Sequence, residues 1–361
     1  MAMKRAVLCV AHPEQYIPKL DDYSIMIINP DATDKRKSYL LDNSDWSLLI
    51  TEQEEKVRSG ADYPGERLLW YTSGTTGDSK FCSFTQEQLD ASSRTICEAY
   101  NITASDRYTS IMSLWHAHGQ GFYWATKYAG CKTTFLNVKN IKQLPDYHPT
   151  FITAIPDILN VVGSLEFNGL RFIRGASSAL PDRLYCGLRD KFKIPIVEAF
   201  GMTEALSHCF TNPLYGEQRM GTVGLPSGID ARIDNGHLLI KGPSVHSSDW
   251  FDTGDLAEQD ECGYYRILGR HKDQINIKGV KLNPVSLEKQ LLENVPGLME
   301  CAIFGNDTVK CLYVGDCANQ DIVDFLKTLG SYCVPKFIQR VDSIPLSPSG
   351  KVSRTLLNFL Y

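Results

Sequence analysis

The chain lacks a surplus of positive charge: 37 lysines and arginines stand against 42 aspartates and glutamates, a net charge of -5 over 361 residues. A nucleic-acid partner would require a basic stripe to follow the phosphate track, so that class is excluded, although a phosphate group can still be held locally. Long apolar runs are lacking too. No stretch approaches the roughly 20 consecutive apolar residues of a membrane span. The N-terminal run Ala6-Val7-Leu8-Cys9-Val10-Ala11 stops at His12-Pro13-Glu14, which is short for a secretory signal and suits a buried strand. The eleven cysteines contain no CxxC and no paired spacing. That leaves neither a disulfide framework nor a zinc knuckle, and fits reduced thiols in a cytoplasmic setting. Repeats and low-complexity segments are absent. With 43% hydrophobic residues, the chain is long enough for a large core and for two domains.

What is present alternates. "TTFLNV", "PDILNVVGSL", "LRFIRGASS", "PDRLYCGLRDKF" and "PIVEAFG" read in turn as strand, helix, strand, helix and strand, the pattern of an α/β fold whose strands feed ligand-binding loops at their C-terminal ends. From about Gly221 the chain becomes rich in Gly, Pro and β-branched residues, with Asn235-Gly236 as a hairpin signal. A helical stretch begins near Val285, and a second helix covers Asp321 to Leu329. The expected organisation is a large N-terminal α/β domain over 1–271, with a β subdomain at about 221–271, followed by a small mobile α+β domain over 272–361.

"YTSGTTGDSK", from Tyr71 to Lys80, follows the strand-like Leu68-Leu69-Trp70. Gly74 and Gly77 permit positive φ and close backbone approach, and Thr72, Ser73, Thr75 and Thr76 supply hydroxyl donors. With Lys80 they compose a phosphate cradle. A Walker loop is excluded, since no GK[ST] follows.

This loop resembles the phosphate loop of the adenylate-forming superfamily: acyl-CoA synthetases, stand-alone or modular adenylation domains, and luciferases. Further matches occur in the family's order: "FGMTE" at Phe200 to Glu204, "GTVGLP" from Gly221, "FDTGD" at Phe251 to Asp255, Gly269-Arg270, "INIKGVKLNPVSLE" up to Glu288, and "SPSGKVSR" around Lys351. The resemblance implies an enzyme in which a carboxylate attacks the α-phosphate of ATP and pyrophosphate leaves, with ATP and Mg²⁺ as cofactors. It implies that Thr72, Ser73, Gly74, Thr75, Thr76, Gly77 and Lys80 hold the β- and γ-phosphates, that Thr203 touches the α-phosphate, and that Glu204 holds Mg²⁺. Phe200 and Gly201 would border adenine, Gly175 the same face, and Asp255 and Arg270 the ribose. Lys351 would reach the acyl carboxylate, Lys272 would be the hinge, and Gly279 would line the thiol tunnel. Ser79-Lys80-Phe81 stands where the family continues Pro-Lys-Gly, and the portion before the loop is shorter than usual. That shortening would leave apolar surface for a partner, and a homodimer or a tight complex with another protein is the expected form.

Trp115 and His116, in "SLWHAHGQG", occupy the family's acyl-pocket position, with Ser177 from "RGASSALP" beside them and His118 as a weaker candidate. An amino-acid activator places an anion there, because a buried ammonium needs a partner. A Trp-His pair suits an aryl or acyl acid with no α-amino group, with Glu198 as the residue that could overturn this by turning into the pocket. The resemblance implies a pantetheine thiol as acceptor, of CoA or of a separate carrier protein, since the sequence holds no carrier segment. The alternatives are an amino-acid-activating adenylation enzyme and a degenerate relative that binds nucleotide or a partner without turnover.

Overall fold

The computed structural model describes residues 3–72, 80–346 and 352–361. Two compact units divide the chain: Met1–Ala231 with Ile240–Phe251, and Arg232–Leu239 with Asp252–Tyr361.

Two sheets with helices between them build the first unit. Lys4–Cys9 pairs in parallel with Tyr23–Ile27 and with Leu48–Thr51, and Glu66–Tyr71 continues the sheet to Phe81–Thr85. Lys4–Cys9, Tyr23–Ile27 and Glu66–Tyr71 are covered on both faces, which is why they read as near-continuous apolar runs rather than alternating ones. In the second sheet Ile196–Phe200, Phe172–Gly175, Phe151–Ala154, Arg107–Ser110 and Lys132–Phe135 lie side by side and parallel.

Helices Gln86–Tyr100 and Ala117–Tyr128 fill the space between the sheets. Leu89, Tyr123 and Trp124 pack with Leu8, Ile25, Leu68 and Phe84 of the first sheet. Ile96, Tyr100, Phe122 and Ala125 pack with Tyr108, Phe151, Phe172 and Val197 of the second. Local sequence starts and stops the longer helix. Thr85 and Gln88 form a reciprocal capping box, and Asn101 ends the helix in the left-handed conformation at φ 48°. Stacked rings of Tyr108, Phe151, Phe172 and Tyr100, with centroids 5.1, 5.0 and 5.3 Å apart, tie the second sheet to this helix. Helices Pro156–Val162 and Asp182–Phe192 cover that sheet's far face, and Asp34–Asp42 covers the far face of the first sheet through Leu40.

His208 is buried in this interior, its Nε2 2.9 Å from Ser227 Oγ and its ring edge-on to Tyr100. Burial, aided by the Arg174 charge, pushes its pKa down to about 3. Between that value and the ordinary 6.5 the unfolded chain binds a proton that the native state refuses. Stability is therefore full above pH 6.5 and falls as pH drops below it, by about 1.4 kcal/mol per pH unit from this residue alone. Denaturant unfolding of His208→Gln at pH 4.5–7.5 is expected to show an acid limb shallower by that amount; a limb parallel to the wild type would contradict it.

In the second unit Leu298–Phe304 runs antiparallel to Lys310–Gly315, which pairs in parallel with Phe337–Arg340. Helices Pro284–Asn294 and Asn319–Leu329 pack one face through Leu287, Leu291, Ile322 and Leu326. The last helix, Arg354–Leu360, packs the other through Leu357. Ahead of this sheet in the sequence come the strands Asp230–Asp234 and His237–Lys241, joined by Asn235 at φ 50° and Gly236 at φ 83°, the two positive values such a turn demands. Phe251–Gln259 and Tyr265–Arg270 complete that four-stranded sheet.

Candidate active site

The phosphate-loop sequence connects two antiparallel strands. Tyr71 is paired with Phe81, and the Thr72 N–H donates to Lys80 O at 2.9 Å, closing the loop's two ends on each other. Arg36 Nη2 donates to Thr72 O at 3.3 Å. Lys80 is exposed. Ser73, Gly74, Thr75, Thr76 and Gly77 lie outside the described residues, as does Lys351.

Strand Ile196–Phe200 delivers "FGMTE" to the C-terminal edge of the second sheet, the end at which parallel α/β sheets bind ligands. Phe200 is half-buried, edge-on to Phe210 at 6.0 Å. Gly201 answers a crowding requirement: a Cβ there would sit 1.9 Å from Ser207 O. The chain folds back tightly, with Thr203–Ala205 as a 3-10 turn and Ser207 N–H donating to Met202 O at 2.9 Å. That turn holds Thr203 and Glu204 half-buried, and Glu204 O accepts the His246 N–H at 2.7 Å. Among the described residues no group of three or more His, Cys, Asp or Glu could hold a metal. A lone carboxylate nevertheless fits Mg²⁺, which keeps several waters and shares one or two protein carboxylates with nucleotide phosphates. Glu204 would hold it, and the ion would neutralise phosphate charge.

Thr203 and Trp115 come from separate motifs and meet in one narrow cleft, lined also by Trp70, Tyr71, Ala117 and Gln120. Gln120 Oε1 accepts from Trp70 Nε1 at 2.8 Å, fixing the cleft wall. His116 is the residue preceding helix Ala117–Tyr128 and is half-buried. His118, one step into that helix, is buried, with Nδ1 3.1 Å from Ser177 Oγ and Nε2 2.6 Å from Thr153 Oγ1. The histidine joined to Ser177 is thus His118. Gly175 ends strand Phe172–Gly175 in register with Ala154 and Glu198. Glu198 is buried, and its Oε1 accepts the Leu180 N–H at 3.1 Å.

The second unit carries the other motifs. Asp255 is buried on the long strand and forms an ion pair with Arg270 at 2.9 Å. Arg270 Nη1 also donates to Thr253 O at 3.1 Å. Lys272 lies in the turn His271–Asp273. Gly279 closes the hairpin between Ile275–Ile277 and Val280–Leu282 at φ 92°, where its N–H donates to Asn276 Oδ1 at 2.9 Å.

Three groups escaped sequence reasoning: Gln120, the buried Arg174, and Arg354 paired with Glu288. Arg174 carried a signal, being a charge inside the otherwise apolar strand "FIRG".

A hydroxyl-rich loop closed between strands, and a threonine-glutamate turn at the edge of a parallel sheet, define an adenylate-forming enzyme. The model of the family described as AMP-binding enzyme matches residues 67–247. Oxalate–CoA ligase of Arabidopsis thaliana is 29% identical over 376 residues, covering 88% of this chain and 73% of that protein. Sulfoacetate–CoA ligase of Cupriavidus necator is 29% identical over 397 residues, covering 93% and 73%. Among solved structures, ATP-bound MatB from Rhodopseudomonas palustris superposes with a TM-score of 0.88 at 20% identity, covering 100% of this chain and 89% of that one. The chain belongs to the AMP-binding enzyme family. It is an AMP-forming acid–thiol ligase. No helix among the described residues is long and apolar enough to cross a membrane.

Proposed function

We propose that this ligase activates a small carboxylic acid without an α-amino group and passes it, as the acyl-adenylate, to the thiol of CoA. The observation that carries the substrate reading is the charge of the acyl side. His118 and Arg174 meet there, Arg174 Nη1 lying 3.3 Å from His118 Nε2, while the acid on the neighbouring strand, Glu198, is buried and engaged with the Leu180 backbone. An α-ammonium among these groups would be desolvated without an anion, at a cost of several kcal/mol. The names of the two CoA ligases support the same reading, since oxalate and sulfoacetate carry no amino group.

Within this reading Thr72 and Lys80, with Ser73 through Gly77, bind the leaving phosphates, Thr203 orients the α-phosphate, and Asp255 takes the ribose hydroxyls with Arg270 behind it. Lys351 serves the adenylation step, Lys272 is the hinge, and Gly279 borders the thiol path. Eleven free cysteines support a reducing, cytoplasmic setting.

Pyrophosphate exchange into ATP, measured with aryl, short-chain and long-chain acids against the twenty amino acids and β-alanine, tests the substrate class. Exchange is expected with acids lacking an α-amino group, and preference for an α-amino acid would refute it. Offering the adenylate to CoA and to phosphopantetheinylated carrier proteins then tests the acceptor.

A further inference from the structure

Gln120 stands in the first turn of helix Ala117–Tyr128 and is buried, 4% exposed, an unusual place for an amide that can both donate and accept. Its Oε1 accepts from Trp70 Nε1 at 2.8 Å. An indole only donates, so this bond settles which end of the amide is oxygen and turns Nε2 the other way. Among the described residues Nε2 has no hydrogen-bond partner, yet it is not sealed in the interior, because Gln120 opens on the narrow cleft it shares with Thr203, Trp115 and Tyr71. Two amide protons are left for whatever enters that cleft.

The flanking glycines explain how the amide comes to be there. A Cβ on Gly119 would collide with Ser113 O, and one on Gly121 would press on Ser207 Cβ at 2.9 Å and Leu206 O at 3.3 Å. Without those atoms the helix lies directly against the turn that carries Thr203, which brings Gln120 and Thr203 into one cleft. Helix, close approach and indole together hold the amide still, as a donor aimed at developing charge must be held.

Within the ligase reading Thr203 orients the α-phosphate and Trp115 borders the acyl group, so the group lying between them is the acyl carboxyl. One of its oxygens attacks the α-phosphorus as pyrophosphate leaves, and the other becomes the carbonyl oxygen of the adenylate. Charge on that second oxygen falls in this step. It rises in the next, when the CoA thiolate adds to the carbonyl carbon and the π pair moves onto oxygen; return of that pair expels AMP. A fixed donor beside the second oxygen therefore does little for adenylation and much for thioester formation.

We propose that Gln120 is a catalytic residue of the thioester-forming half-reaction: its Nε2 donates to the acyl carbonyl oxygen of the adenylate and to the oxyanion that forms there. This rests on the ligase reading above, and adds to it the group that serves the second step.

The test uses an acid that supports pyrophosphate exchange by the wild-type protein. Gln120→Leu is expected to keep the maximal exchange rate within about 3-fold and to slow thioester formation from the pre-made adenylate of that acid by about 10²-fold, the typical cost of one lost oxyanion donor. A readout without turnover is calorimetric binding of the acylsulfamoyl analogue of the same adenylate, which keeps the acyl carbonyl, beside AMP, which lacks it. Gln120→Leu should weaken the analogue by about 10-fold and leave AMP unchanged. Leucine strands the buried Trp70 N–H, so the double variant Trp70→Phe/Gln120→Leu is measured as well; removing both partners spares the fold, and the same pattern is expected. Gln120→Glu keeps an acceptor for Trp70 but aims a carboxylate at the carbonyl, so its thioester rate relative to the wild type should climb as pH falls from about 8 to 6 and the carboxyl takes up a proton. Equal slowing of both half-reactions, equal weakening of AMP and the analogue, or no effect on either would overturn the proposal, mark Gln120 as a wall of the cleft, and leave the ligase reading intact. A wild type that exchanges with no acid overturns the ligase reading and this inference with it.

Discussion

Lys351→Ala is expected to lower adenylate formation by about 10²–10³ while leaving thioester formation from pre-made acyl-adenylate largely intact. Removing one preorganised charge aimed at a developing transition state has that typical effect. The asymmetry comes from chain position. Lys351 belongs to the second unit and follows the proposed hinge, Lys272, in the sequence, and a lysine on a swinging domain serves only the conformation that brings it to the carboxylate. Leu346 and Val352 pair with each other on either side of its segment, a pairing that the substitution leaves in place. Rapid-quench measurement of each half-reaction checks this, and equal damage to both would refute the two-conformation account.

Arg354→Met is expected to destabilise the second unit by about 3–5 kcal/mol, the usual cost of stranding one partner of a buried ion pair. Arg354 Nη2 donates to both oxygens of Glu288, at 2.6 and 2.8 Å, and its Nε donates to Ile303 O at 3.0 Å. The Ile303 N–H donates back to Glu288 at 2.7 Å. The two side chains are 10% and 16% exposed, so water cannot replace what is lost. Burial raises the Glu288 pKa from 4.5, and the Arg354 charge opposes that rise. Without Arg354 the rise is larger. The folded variant then holds a proton that the unfolded chain releases above about pH 4.5, so its deficit against the wild type grows as pH climbs through that window and shrinks in acid. Thermal midpoints from pH 4.5 to 8 check the trend. The double variant Glu288→Leu/Arg354→Met should be less damaged at neutral pH than Arg354→Met alone. A pH-independent deficit would contradict this account.

Much of the architecture was legible because the chain punctuates it. Asn235-Gly236 announces a hairpin whose two residues both take positive φ. Alternating runs from "TTFLNV" to "PIVEAFG" appear as strand Lys132–Phe135, helix Pro156–Val162, strand Phe172–Gly175, helix Asp182–Phe192 and strand Ile196–Phe200. Helices expected near Val285 and at Asp321 to Leu329 appear as Pro284–Asn294 and Asn319–Leu329. The motifs were equally visible, since glycines and hydroxyls at fixed spacing have few other uses.

The acyl side was less legible, for a physical reason. Spacing along a strand says which face a residue occupies, but not which side chain it meets from a helix dozens of positions away. His118 and Arg174 are 56 residues apart, and their bond exists because helix Ala117–Tyr128 crosses the face from which Arg174 projects. In "WHAHG" the sequence favours His116 over His118, whereas the start of the helix between them leaves His116 half-buried and takes His118 into the core. Glu198 was ambiguous for the same reason, its bond to the Leu180 backbone depending on a loop that returns across the strand.

The central claim is that an acid's own oxygen attacks the α-phosphate of ATP. It is tested most directly by supplying an activated acid whose carboxylate carries ¹⁸O, with ATP, Mg²⁺ and CoA, and reading the nucleotide product by mass spectrometry. Attack forms a bond from carboxylate oxygen to α-phosphorus and releases pyrophosphate; thiolate attack on the acyl carbon then breaks the acyl–oxygen bond. The account predicts AMP, pyrophosphate and acyl-CoA in equal amounts, with one ¹⁸O in the phosphate of each AMP. ADP as the nucleotide product, or AMP without the label, would contradict it.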